Sequence, residues 1–206
     1  MNFNGNFRRI GFYDIEEIKA RVAQIPEAVW ETNPERREKY PVHTETRSIR
    51  LIFDYFRHEK PEAFQMYVEL QDLVDPLLLQ IAEHFDQSES AKSLGADFVP
   101  GHFLRVLLVN LLPGQKIPAH RDKTETMIKS HRVHIPIVTH ENVKFIVGKR
   151  FLHMREGEIW EINNRRVHSV FNESNTERLH LIADYLLPGE RIVDNTNDPS
   201  RNEVVC

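Results

Sequence analysis

The chain has 206 residues, 40% of them hydrophobic and 28% charged, which suits one globular domain with a real core. Its formal net charge of -4 gives no basic footprint for nucleic acid or an anionic membrane surface, and no stretch approaches the roughly 20 apolar residues that span a bilayer. The single cysteine, Cys206, excludes an internal disulfide, thiol catalysis and a Cys-based zinc site. With an N-terminus that lacks the apolar run of a signal peptide, this suits a cytoplasmic protein.

Residues 7–13 are short and mixed and read as an edge strand. Asp14 is placed as a helix N-cap, with Glu16 and Glu17 in the first turn where negative charge suits the dipole. Ile15, Ile18, Val22 and Ile25 recur at helical spacing, so an amphipathic helix is expected over 14–24, ended by Pro26. Residues 31–40 are charged and read as a loop. Alternation predicts a strand within 44–55, through Ser48-Ile-Arg-Leu-Ile-Phe53.

From Pro61, set at a first helical turn, Phe64, Tyr67, Val68, Leu70, Leu73 and Val74 mark a buried helical face. Pro76 is expected to kink or divide that helix, with a second one over 77–85. Residues 86–95 read as a loop and end an N-terminal helical and strand part (1–95) packed on a β-rich core (96–187). In the core, β-type segments at 103–112, 132–139, 143–147, 150–155, 158–162, 168–172 and 179–186 are separated by turn signals, the pattern of a sandwich or barrel. Residues 188–206 are polar and are expected to form a loosely held tail.

His120 and Asp122 stand two apart at a strand exit, so both side chains reach one face while Arg121 points away. His168 follows a turn into another β-type segment. A barrel that brings these strands together gives two imidazoles and a carboxylate on one side of an ion, with the other side open. Nitrogen and oxygen ligands without thiolate suit Fe(II) better than structural zinc. His-x-Asp is common by chance, and eleven histidines guarantee a later one. Arg178 adds weight: ten residues past His168, a hairpin returns it facing the same barrel. A buried guanidinium needs an anion, and its fork suits the far carboxylate of a dicarboxylate chelator such as 2-oxoglutarate. The competing reading is a surface arginine that closes a turn.

The residues between Leu111 and Leu186 resemble the aspartyl/asparaginyl β-hydroxylase family of Fe(II)/2-oxoglutarate dioxygenases. They carry Pro113-Gly114 before Ile117-Pro-Ala-His120, then Arg132-Val-His134, Glu156-Gly-Glu-Ile-Trp160, His168-Ser-Val-Phe-Asn172 and Arg178-Leu-His-Leu181. Within the family, Ile-Pro-x-His120-Arg-Asp122 and His153-Met are most similar to the bacterial free-proline hydroxylases.

The resemblance implies a mainly β fold with flanking helices, a double-stranded β-helix (cupin-type jelly roll) preceded by an α-helical part. It implies Fe(II) held by His120, Asp122 and His168, 2-oxoglutarate held at Arg178, and Arg132 and His134 lining the cosubstrate or substrate pocket. O2 would be the oxidant and succinate and CO2 the coproducts. The family's peptide-hydroxylating members place a serine where this chain has Val109, and they lack the carboxylate ligand present here as Asp122. That sides the chain with amino-acid hydroxylases and with hydroxylation over halogenation.

Trp160 reads as core or as a substrate wall, and Arg47 and Arg105 as grips for a substrate carboxylate or as solvated charges. His43 is placed near the barrel mouth, His153 and His180 as hydrogen-bonded barrel histidines, and His131 is given no role. The expected substrate is an amino acid or a similar small molecule, with no nucleic-acid or membrane partner. The alternatives are hydroxylation of Asp, Asn or Pro residues in a peptide, and a non-catalytic cupin-like binding module.

Overall fold

The computed structural model describes residues 3–34, 38, 44–55 and 61–192. His43, most of the charged 31–40 stretch, and the tail from 193 to Cys206 lie outside the described residues. The eleven strands described are, in chain order, β1 (Phe7–Phe12), β2 (Thr46–Phe53), β3 (Glu62–Ala63), β4 (His102–Leu111), β5 (Lys116–His120), β6 (His131–Val138), β7 (Val143–Val147), β8 (Arg150–Leu152), β9 (Glu158–Ile162), β10 (His168–Asn172) and β11 (Arg178–Leu186). They form two antiparallel sheets, β1-β9-β6-β11-β4-β2-β3 and β5-β10-β7-β8. This is the jelly roll that the resemblance implies.

The larger sheet is buried on both faces, and side-chain alternation sorts its residues. On β11, Leu179, Leu181, Ala183 and Tyr185 join the core beneath the helices, with Ile49 and Leu51 of β2 and Val133, Ile135 and Ile137 of β6. The other face meets the smaller sheet, where Leu111 and Ile162 pack on Ile117, Val143, Phe145, Val147 and Val170. Arg178, His180, Ile182 and Asp184 share this inner face, and the candidate site is built there.

The helices are α1 (Glu16–Val22), α2 (Glu27–Trp30), α3 (Gln65–Asp86), α4 (Glu89–Leu94) and α5 (Glu125–Lys129), with a 3-10 turn at Gly95–Asp97. Asp14 accepts from the Glu16 N–H at 3.1 Å, so α1 begins one turn position later than the sequence suggests. Pro61 precedes the short β3, and α3 starts only at Gln65. Pro76 does not divide α3. The missing N–H costs about 3 kcal/mol. Against it, Leu70, Val74, Leu77, Leu78, Ile81 and Phe85 are all buried, each contributing roughly 1.5–3 kcal/mol. The expected 86–95 loop contains α4, capped by Ser88, whose Oγ accepts from the Ala91 N–H at 3.2 Å. Among the described residues no helix is long and apolar enough to cross a membrane.

Among the described residues past β11, two are held in place. Leu187 is 2% exposed, and Glu190 lies 2.9 Å from Nε2 of buried His131. His131 Nδ1 meets Glu161 at 2.6 Å and its ring stacks on Phe85, while Arg8 closes on Glu161 from the other side. Burial alone would lower the His131 imidazole, but Glu161 and Glu190 outweigh it and raise it.

The stability from this link is therefore full below the unfolded histidine value of about 6.5 and is lost as pH rises through the raised folded value. We expect the difference in melting temperature between wild type and His131→Gln to shrink steadily as pH is raised. A difference that grows with pH contradicts the link. Gly157 has φ +74°, and a Cβ there would come within 2.5 Å of the Tyr13 carbonyl oxygen, beside the bond from Tyr13 N–H to Gly157 O. Gly157→Ala should cost about 1–3 kcal/mol in denaturant unfolding.

Candidate metal centre

His120 ends β5, His168 begins β10, and the two are register partners. From His168 to Val170 the β10 strand advances two residues, while β5 covers His120 to Ile117. The extra residue is a bulge, a device that re-aims side chains beside functional sites. It leaves the two imidazole centroids 4.2 Å apart. Asp122 follows two residues on, and its N–H donates to the Asn164 carbonyl at 3.2 Å. Each of His120, Asp122 and His168 offers a ligand atom within 4.8 Å of the other two.

The hydrogen bonds around these residues suit metal binding. His120 Nδ1 lies 2.8 Å from the Pro118 carbonyl oxygen, and His168 Nδ1 lies 3.0 Å from that of Arg166. A carbonyl only accepts, so each Nδ1 carries the proton and each Nε2 presents a lone pair. Burial lowers the His168 imidazole to about 4; Asp122 opposes the shift and His120 reinforces it. His168 is neutral, the form that ligates. For Asp122 burial would raise the carboxyl, but Arg132, His168 and His120 outweigh it and keep it ionised. Its Oδ2 takes Arg132 Nη1 at 2.5 Å and Asn164 Nδ2 at 3.3 Å, which leaves Oδ1 for an ion.

Arg132 is paired to Asp184 as well, Nε to Oδ1 and Nη2 to Oδ2, each at 2.8 Å. Arg105 Nε donates to the same Asp184 Oδ2 at 2.6 Å, and its two terminal nitrogens reach Thr126 Oγ1. Burial would raise the Asp184 carboxyl, but Arg132 and Arg105 hold it far below the usual range.

A second polar group lies deeper along β11. Arg178 is 0% exposed, with its guanidinium 5.7 Å over Phe145 and Nη2 donating to His180 Nδ1 at 2.8 Å. Burial first, and then the Arg178 charge, push His180 and His134 well below the usual histidine value, so both are neutral. With Nδ1 accepting, His180 carries its proton on Nε2, and that donor is buried without a hydrogen-bond partner. Both ring nitrogens of His134 are likewise buried and without one. An arginine and two neutral imidazoles with uncommitted nitrogens form a pocket chemically suited to an anion.

The remaining expected residues sit elsewhere. Arg47 is on the helix side of β2, paired with Glu27 and lying over Trp30, and does not face the barrel mouth. Arg105 is on the inner face but committed to Asp184 and Thr126. Trp160 packs against the inter-sheet core and donates to Glu158 Oε2 at 2.9 Å. Asp184 and Asn164 were not singled out from the sequence. Asp184 had a visible signal, as the one acidic residue in an apolar strand and in phase with Arg178 and His180.

We expect wild-type protein to bind one divalent cation (Co(II), Ni(II) or Mn(II)) in a calorimetric titration. His120→Ala or His168→Ala should weaken binding beyond the roughly 10–100-fold that outer partners cost. Unchanged affinity in both variants would place the ion elsewhere.

Residues 89–188 match the family model of the aspartyl/asparaginyl β-hydroxylases. Two solved structures share the fold along nearly the whole chain. One is an oxidoreductase of the 2OG-Fe(II) oxygenase family from Burkholderia pseudomallei, at 15% identity and TM-score 0.51, covering 87% of this chain and 93% of that one. The other is AviO1 from Streptomyces viridochromogenes Tue57, at 15% identity and TM-score 0.51, covering 92% and 93%. At that identity the likeness establishes the fold alone. The segment matched, 89–188, carries every residue of the triad and of the Arg178 pocket.

Proposed function

We propose that the chain is an Fe(II)- and 2-oxoglutarate-dependent dioxygenase that hydroxylates an unactivated C–H bond of an amino acid or amino-acid-like small molecule of the proline type. The observation that carries this reading is the pairing of a His-Asp-His set, its histidines on the smaller sheet, with the buried Arg178, His180 and His134 group on the facing side of the larger sheet. The donor set is two imidazoles and one carboxylate without thiolate, which suits Fe(II). The nitrogens of His134 and His180 that lack hydrogen-bond partners, beside Arg178, suit a carboxylate-bearing cosubstrate.

His120, Asp122 and His168 would hold the iron, and Arg178 the distal carboxylate of 2-oxoglutarate, with His134 and His180 as further donors. Bound there, the two supply O2 activation: 2-oxoglutarate is split to succinate and CO2 as one substrate C–H becomes C–OH. The chain's own part is to bind, orient and keep the site dry. Phe145, Val147, Leu111 and Ile162 exclude water around the Arg178 pocket.

The substrate side is supported by a separate apolar patch on the inner face, Leu107, Val109 and Ile182 with Phe53 packed on them. Leu107 and Ile182 are each 7% exposed where Val109 is 0%, so solvent reaches the patch. An apolar body with a carboxylate fits that wall. Arg50 lies on the inner face beside Leu107, with its guanidinium 4.9 Å over Phe53 and Nη1 donating to the Tyr55 hydroxyl at 3.1 Å.

The test is succinate release from 2-oxoglutarate with Fe(II) and O2, screened over free amino acids and short peptides, with hydroxylated product identified by mass. Product from free proline or a similar amino acid supports the reading. Product only from peptides moves the substrate class, and no release with any substrate favours a binding module. Arg178→Ala should raise the 2-oxoglutarate requirement at least about 30-fold, because losing one partner of a buried charge pair costs about 2–5 kcal/mol, and should leave metal affinity unchanged.

A further inference from the structure

The resemblance puts Arg132 in the cosubstrate or substrate pocket, but its guanidinium is committed to two aspartates. We propose that Asp184 and Arg132 form a positioning relay for Asp122: Asp184 fixes the Arg132 fork, and the fork decides which carboxylate oxygen Asp122 presents to the ion. The relay rests on reading His120, Asp122 and His168 as metal ligands, and it deepens that reading by making Arg132 a support of the metal rather than a contact to the cosubstrate.

The geometry is over-determined. Two parallel bonds of 2.8 Å lock the plane of Arg132 on Asp184, so the direction of its third nitrogen is no longer free. That nitrogen, Nη1, meets Asp122 Oδ2 at 2.5 Å. Asp184 is itself held by Arg105, whose other end is tied to Thr126 in α5, the helix that follows the ligand loop. From the opposite side Asn164 bridges Asp122 Oδ2 and the Met127 carbonyl at 2.8 Å. The loop that carries Asp122 is thus clamped at the ligand and at the following helix. Oδ2 receives two donors, and the relay assigns Oδ1 to the ion. Two arginines and two aspartates make the buried group neutral, so removing Asp184 leaves excess positive charge beside a cation site as well as an unfixed fork.

The test is metal affinity, measured with Co(II) or Mn(II) by calorimetry and, for Co(II), by the visible spectrum that reports ligand geometry. It uses the full chain, with folding checked by circular dichroism and thermal unfolding. Asp184→Asn should bind metal about 10–100-fold more weakly than wild type, the usual effect of losing an outer partner. In an Asp122→Asn background the same change should have almost no further effect, because both act through one ligand. Arg132→Lys preserves the buried charge and loses the fork. It keeps the experiment decisive if Asp184→Asn fails to fold, and should show the same loss with an altered Co(II) spectrum. At metal saturation, 2-oxoglutarate affinity in Arg132→Lys should match wild type.

The relay is overturned if both variants bind metal as wild type does and only their melting temperature falls. It is overturned equally if the Asp184→Asn loss persists in full without Asp122, or if Arg132→Lys loses 2-oxoglutarate affinity while keeping the metal. Wild-type protein that binds metal and shows the variant losses but consumes no 2-oxoglutarate would sink the dioxygenase reading and leave the relay standing. Failure of wild type to bind any divalent metal would sink both.

Discussion

The register of one antiparallel pair governs this molecule. β5 and β10 meet so that His120 faces His168, and the bulge at the end of β5 sets the angle between the two rings. A slip of one residue in β5 would turn His120 to the opposite face of the sheet, away from His168. The register is fixed by what lies further along the strands: Ile117 and Val170 also pair, and both are buried against Val147, Phe145 and Leu111. Hydrophobic packing between the sheets thereby sets the distance between two candidate metal ligands.

The second constraint is electrostatic. The inner face of the larger sheet buries three arginines, two of them with Asp184 between them. Such groups stay folded only if each charge has a partner. Arg105, Asp184, Arg132 and Asp122 satisfy one another, and Asp122 is thereby held ionised beside His120 and His168. The Arg178 group differs in including two neutral imidazoles and an aromatic ring beside the guanidinium. The proposed division of labour follows this difference: the cluster completed by carboxylates would support the metal, and the imidazole-lined group would receive the anion.

Much of this was legible in the sequence, and the losses have physical causes. His120, Asp122 and His168 were readable because strand periodicity and turn residues are local signals. Arg178 was readable for the same reason, from the hairpin that precedes it. The side on which Arg47 falls was not, since it depends on the parity of β2, and only pairing with β4 and the irregularity between Arg50 and Ile52 set that. Arg105 and Arg132 could be seen as charges but not as partners of Asp184, because the contacts cross three strands. Pro76 did not divide the helix, because a tertiary core outweighed one lost hydrogen bond. The short helices α2, α4 and α5 have too few residues to show a period, although Ser88 and Gly95 did mark the ends of α4.

The most direct measurement of the central claim is anaerobic titration of the Fe(II)-loaded protein with 2-oxoglutarate, followed by visible absorption. A 2-oxo acid that chelates Fe(II) at this site should give a metal-to-ligand charge-transfer band, saturating at one equivalent and absent in His168→Ala. Bound Fe(II) with no such band, or a band that survives the loss of His168, would contradict the assignment of this inner surface as a joint iron and 2-oxoglutarate site.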